Sequence, residues 1–145
     1  MQIKEIMSKD IEFVELDAPL DEVAQKMRDN DAGAILVGSE DKMVGIITDH
    51  DMATKVIADN REPQSIRAND VMSAPVLYCF EDDDVEDVAD NMIQKQALRI
   101  LVVDRNKRAK GVVAHSDFAD AIVKNGLYAD PIAEKVIKLA SKIAA

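Results

Sequence analysis

The stretch GIITDHD at Gly45–Asp51 returns as GVVAHSD at Gly111–Asp117. Each has a glycine, an apolar pair and a final aspartate where a helical pattern begins. Upstream, KEIMSKDIEFVELDAPLDEVAQKM (residues 4–27) lies beside NDVMSAPVLYCFEDDDVEDVADNM (residues 69–92). Met7 falls on Met72, Ser8 on Ser73, Leu20 on Val85, Val23 on Val88, Ala24 on Ala89 and Met27 on Met92, at a constant offset of 65. One extra residue in the second copy makes the offset 66, so Asp51 falls on Asp117, Met52 on Phe118 and Ile57 on Val123. The chain is written twice, and a duplication of this kind decides the fold before any single motif does.

Both copies predict the same order of elements. A short extended stretch (Ile11–Leu16; Val76–Phe80) leads into a helix (Leu20–Asp29; Val85–Gln94). In the first helix Leu20, Val23, Ala24 and Met27 make one apolar stripe at helical spacing. Asp84 suits the cap of the second, and Pro19 suits the first turn of its counterpart. Two apolar strands follow, Ala34–Val37 with Met43–Ile47, then Ile100–Val103 with Gly111–Val113. Their continuous apolar character predicts cover on at least one face. A closing helix ends at Asn60 or Gly126, residue types that tolerate the left-handed conformation. The expectation is an α+β fold of two pseudo-symmetric β-α-β-β-α units packed through their sheets. Residues 1–60 form the first, 61–69 a short connector and 70–126 the second. A C-terminal helix over 127–145 has Asp130 as cap, Pro131 at its first position, and Ile132, Val136, Leu139 or Ala140, and Ile143 on one face. Lys135, Lys138 and Lys142 point elsewhere.

The 145 residues carry a formal charge of −10, a poor match to nucleic acid or to an anionic membrane surface. Residues 1–65 hold 15 acidic and 7 basic side chains, so most of the excess lies in the first copy. The single Cys79 excludes an internal disulfide and an ordinary structural zinc set. No apolar run approaches the roughly 18 residues of a membrane span. A soluble cytoplasmic protein is the expectation.

Thr48-x-x-Asp51 has two readings. In a capping box the hydroxyl accepts from a first-turn amide while the carboxylate accepts from the cap residue's N–H. In a ligand site the same amides and hydroxyl meet a phosphate, and the carboxylate grips two sugar hydroxyls. Copy two keeps Asp117 but has Ala114 in place of the threonine, so a full capping box does not explain it. No nucleophile–base pair, acid–base carboxylate pair, phosphate-cradling glycine loop or dinucleotide fingerprint emerges. Binding without turnover is expected, and no metal site. The acidic run Glu81–Asp84 reads as a solvated helix cap, and Cys79 as a packed side chain.

The duplicated pattern resembles the tandem cystathionine-β-synthase-type (CBS) domain pair, or Bateman module, over nearly the whole chain. More narrowly it is similar to the small stand-alone bacterial and archaeal members. The resemblance implies two stacked units with two clefts between them, frequent pairing into a homodimer, and regulation of a partner protein through AMP, ADP, ATP or S-adenosylmethionine. Carried over residue by residue, it places Thr48 at the phosphate and Asp51 at the ribose. Met7, Asp10, Ile11 and Ile47 lie round the base, with His50 near phosphate. In the second copy Asp117 matches the ribose aspartate, and Met72, Val76 and Val113 the base-lining positions. His115 or Ser116 then stands in for the missing threonine. The apolar-Pro-Val strand common in the family is absent from both copies. The rival expectation is a structural or protein-interaction module with no nucleotide ligand.

Overall fold

The computed structural model describes residues 1–40 and 42–144, with side chains through Ser141. Two of the residues assigned to the tail helix, Lys142 and Ile143, therefore lie outside the described side chains, as does Asp41 of the first hairpin turn. The first repeat supplies β1 (Phe13–Val14), α1 (Leu20–Asp29), β2 (Ala34–Gly38), β3 (Met43–Thr48) and α2, which starts at Asp49–Met52 and continues as π-helical turns over Ala53–Ile57. A short α3 (Ala68–Val71) leads to the second repeat. There β4 (Tyr78–Phe80), α4 (Val85–Lys95), β5 (Arg99–Val103), β6 (Ala109–Ala114) and α5 (His115–Asn125) repeat the order, before α6 (Pro131–Ala144). Each sheet has its middle strand parallel to the first and antiparallel to the third, in the orders β1-β2-β3 and β4-β5-β6. The fold class is the expected one.

The compact units are not cut where the repeats are. Met1–Ile11 joins Leu77–Ala145 in one unit, and Glu12–Val76 forms the other. The Met-Ser segments explain the exchange. Ser8 pairs with Val112 through two backbone hydrogen bonds of 2.9 Å, and Ser73 pairs likewise with Ile46 at 2.9 and 3.0 Å. Each third strand thus gains an antiparallel bridge from a segment preceding the other repeat. The matched glycines make room for these segments. A Cβ on Gly111 would stand 2.5 Å from the Ser8 carbonyl oxygen, and one on Gly45 would stand 2.3 Å from the Met72 sulfur. The first obstacle is backbone and the second a flexible side chain that can turn away. Gly111→Ala should therefore lose about 1–2 kcal/mol to overpacking, and Gly45→Ala less, as urea midpoints would show.

The predicted connector is integral to the Glu12–Val76 unit. Ile66, Ala68 and Val71 are buried with Val14, Leu20, Val23, Ile35, Val37, Ile47 and Val56. The Ala68 N–H donates to Ala18 at 2.8 Å, and the Leu20 N–H to Ile66 at 3.1 Å. In the other unit Ile3, Met92, Val113 and Phe118 centre the core, and Ile132 and Leu139 of α6 close it. Helix α6 lies on both α4 and α5. Asp130 caps it by accepting from the Ile132 N–H at 3.0 Å.

That extra helix corrects two expectations. Ala89 on α4 is wholly buried, but its match Ala24 on α1 is exposed, because the Glu12–Val76 unit has no counterpart of α6 among the described residues. Lys135 does not point away from the packing surface. Its ammonium donates to both carboxylate oxygens of Asp90 on α4 at 2.7 Å, and those bonds hold its pKa above the ordinary lysine value. Asn60 and Gly126 end their helices with φ of 52° and 64°, as their residue types predict.

Candidate functional site

The two strand-to-helix junctions carry the predicted carboxylates, and the structure builds them differently. Thr48 is extended, with φ −108° and ψ 164°, and caps α2. Its hydroxyl accepts from the Asp51 N–H at 3.2 Å and donates to Asp51 Oδ2 at 3.0 Å, while its own N–H donates to the same oxygen at 2.9 Å. The capping box is closed. Asp51 Oδ1 meets the Lys55 ammonium at 3.2 Å, and Lys55 also donates to the Val71 carbonyl at 3.0 Å. Asp51 is only 7% exposed and is the sole buried charged residue among those described. Burial of a carboxylate is tolerated where hydrogen bonds and an opposite charge compensate it, and both are present here. Beyond this turn the helix widens, with the Ala58 N–H donating five residues back to Ala53 at 2.9 Å.

The second junction has the same backbone and less support. Ala114 is extended at φ −111° and ψ 163°, and its N–H donates to Asp117 Oδ2 at 2.8 Å. Only this half of a capping box exists, since alanine has no oxygen to return. Ala121 occupies the place of Lys55, so no ammonium among the described residues pairs with Asp117. Burial pushes the Asp117 carboxyl above its ordinary value, against the Ala114 hydrogen bond, and the nearby Asp120 charge adds to the rise. Asp117 lines a polar cavity of about 340 Å³ with Glu5, Met7, Asp120, Lys124 and Asn125. Ligand sites of small molecules begin at about this size.

The remaining predicted site residues fall as follows. Met7, Asp10 and Ile11 belong to the unit of Asp117, and Met72 and Val76 to that of Thr48 and Asp51. Asp10 is exposed, while Ile11 and Val76 are half-buried. Ile47 and Val113 are wholly buried in their respective cores, where packing alone accounts for them. His50 and Ser116 are exposed at the first turns. His115 Nδ1 is buried with no hydrogen-bond partner among the described residues. Sequence reasoning did not name Lys55, although a lysine four residues after an aspartate on a helix signals such a pair. It also did not name Asp120, Lys124 or Asn125, which share the helical face of Asp117. Glu5 had no local signal at all.

The other features singled out are used structurally. Asp83 Oδ2 accepts from the Phe80 N–H at 2.9 Å, Asp84 caps α4 at Glu86, and Asp82 pairs with Arg105 at 2.8 Å. The Arg105 guanidinium lies 4.3 Å from the Phe80 ring centre, and Tyr78 meets that ring edge-on at 5.8 Å. Cys79 is buried, and its thiol is raised to about 12 by burial, with the Asp83 charge contributing. Among the described residues no group of three or more His, Cys, Asp or Glu side chains is placed to hold a metal ion. No described helix is long and apolar enough to cross a membrane.

Comparison with known proteins agrees with the duplication. The chain is 35% identical over 97 residues to protein MK0525 of Methanopyrus kandleri, covering 66% of this chain and only half of that protein's length. It is 34% identical over 120 residues to protein YlbB of Bacillus subtilis, covering 81% of this chain and 80% of that one. Among solved structures, the CBS domain pair of protein MJ0100, in complex with 5′-methylthioadenosine and S-adenosyl-L-methionine, superposes with a TM-score of 0.75 at 27% identity. That match covers 84% of this chain and 99% of the other. The CBS domain pattern matches residues 3–58 and again 68–124. With two β-α-β-β-α repeats so matched, the chain belongs to the CBS domain family and is a tandem CBS pair.

Proposed function

We propose that this CBS pair is a ligand sensor that binds an adenine nucleotide (AMP, ADP or ATP) or S-adenosylmethionine at the heads of its closing helices. The observation that carries the reading is Asp117. It is held by one backbone N–H, forms no ion pair among the described residues, and borders a cavity of ligand size. A carboxylate with one oxygen left free of intramolecular partners can accept from two sugar hydroxyls. Family membership and the ligands of the MJ0100 pair support the adenosyl assignment. At the first junction the closed capping box favours a second reading, in which Thr48 and Asp51 serve the fold alone. A ligand there has to share Asp51 with Lys55. Ligand preference for one arrangement of the protein, rather than tight binding, is what transmits a signal to a regulated partner protein. We extend the proposal to a homodimer. Ile57 and Val123, matched positions on the closing helices, stay 74% and 65% exposed and are available to a second copy.

Thermal unfolding in the presence of AMP, ADP, ATP and S-adenosylmethionine tests the sensor. A ligand at a hundred times its Kd should stabilise the folded chain by about 2.7 kcal/mol. Asp117→Asn should remove the shift that belongs to the second junction. No shift with any of the four at millimolar concentration would leave only the structural or protein-interaction role.

A further inference from the structure

The charge around Asp117 separates ligands that share an adenosine but differ at the 5′ carbon. The helix face that begins at Asp117 continues through Asp120, Ala121, Lys124 and Asn125, all of which line the cavity. Their matches in the first repeat are Thr54 for Asp120, Lys55 for Ala121 and Ala58 for Lys124. At the cap itself Ala114 replaces Thr48, so the hydroxyl that could donate to a phosphate is missing. The second junction has therefore lost the ammonium beside its aspartate and gained a carboxylate one turn on. Glu5, from the segment that joins this unit, adds a third acid to the same wall. Lys124 is the one side-chain cation among the described lining residues, seven residues beyond Asp117 and so about 10 Å further along the helix axis. The Met1 ammonium on the same wall is paired with Asp84 at 3.6 Å.

Resting on the adenosyl reading above, we infer that the Asp117 cavity takes an adenosyl compound with a cationic or zwitterionic tail in preference to a phosphorylated nucleotide. A space of about 340 Å³ is roughly 9 Å across, close to one screening length at physiological salt. Any group on the 5′ carbon thus feels all three carboxylates. A phosphate there meets three like charges, and neither His115 nor Ser116 lines the cavity to replace the threonine hydroxyl. A sulfonium occupies the same place with the opposite sign, and a carboxylate at the end of its amino-acid tail suits Lys124. Asp120 already acts on its neighbour, since its charge helps to raise the Asp117 carboxyl.

Isothermal titration of the full chain with ATP, AMP, uncharged 5′-methylthioadenosine and S-adenosylmethionine gives a ladder of charge on a common adenosine. The heat abolished by Asp117→Asn should be that of S-adenosylmethionine. Its affinity should exceed that of AMP by about tenfold per unit of charge, with methylthioadenosine between them. In a Glu5→Gln, Asp120→Asn double variant, checked for folding by circular dichroism, the preference should shrink about tenfold or more while methylthioadenosine still binds. Binding through Asp117 with AMP preferred, or a preference unchanged in the double variant, overturns this inference and leaves the adenosyl reading standing. No heat with any of the four overturns both.

Discussion

Phe118→Ala should lower the stability of its unit by about 3–5 kcal/mol, the largest effect expected of any single substitution here. The ring is wholly buried among Ile3, Met92, Val113, Ile132 and Leu139 and is the largest such side chain. A domain's whole stability is commonly about 5–15 kcal/mol, so the variant stands near the threshold of folding. The matched Met52 is only half-buried, since nothing among the described residues of its unit corresponds to α6, and Met52→Ala should cost distinctly less. Both tyrosines, Tyr78 and Tyr128, lie in the Phe118 unit, so tyrosine fluorescence in urea follows that unit specifically. Equal losses for the two variants would contradict the covering role given to α6.

Neutralising the two matched aspartates should move stability in opposite directions. Asp51→Asn removes the charged acceptor for the Thr48 hydroxyl and N–H and the partner of Lys55, for a loss of about 1–3 kcal/mol near pH 7. Lys55 is well exposed, so most of that loss comes from the hydrogen bonds and little from the ion pair. Asp117→Asn keeps a carbonyl oxygen for the Ala114 N–H and removes a carboxylate that burial disfavours. Because the folded state holds the Asp117 proton more tightly than the unfolded chain, this group's contribution falls as pH rises above about 3.8, its ordinary value. Above the folded pKa the penalty is complete. Asp117→Asn should therefore match or exceed the parent in stability at pH 7, and the gain should vanish on acidification below pH 3.8. Denaturation across that range checks the sign. A loss at pH 7 like that of Asp51→Asn would show that Asp117 serves the fold and not a ligand.

Local rules carried much of this architecture in plain view. Helix α1 spans Leu20–Asp29, as its apolar spacing and flanking residues predict, and the second and third strands of each sheet extend only a residue or two beyond their apolar cores. The first strands fall short, β1 keeping only Phe13–Val14 of Ile11–Leu16 and β4 Tyr78–Phe80 of Val76–Phe80. The capping box at Thr48 follows from residues three apart, and the left-handed ends at Asn60 and Gly126 from residue type. Periodicity failed where a distant element decides burial. Ala24 and Ala89 have the same spacing and the same neighbours in pattern, yet only the second has α6 above it. Lys135 likewise looked solvent-facing because its partner Asp90 lies 45 residues away. Of the cavity around Asp117, the residues on α5 were within reach of a helical-face argument. Glu5 and Met7 were not, because more than a hundred residues separate them from the wall they share.

The exchange of Met-Ser segments imposes an order on vectorial synthesis. Once Val76 has left the ribosome, the unit of Glu12–Val76 has every strand it needs, including the bridge at Ser73. Met1–Ile11, made before that unit, have no partner until Glu81–Val85 emerge and no strand to join until Val112 follows. During that interval Ile3, destined for complete burial, has its apolar side chain without its eventual neighbours. The polar residues Gln2, Lys4, Glu5, Ser8, Lys9 and Asp10 help to keep this waiting peptide in solution until its docking strand arrives.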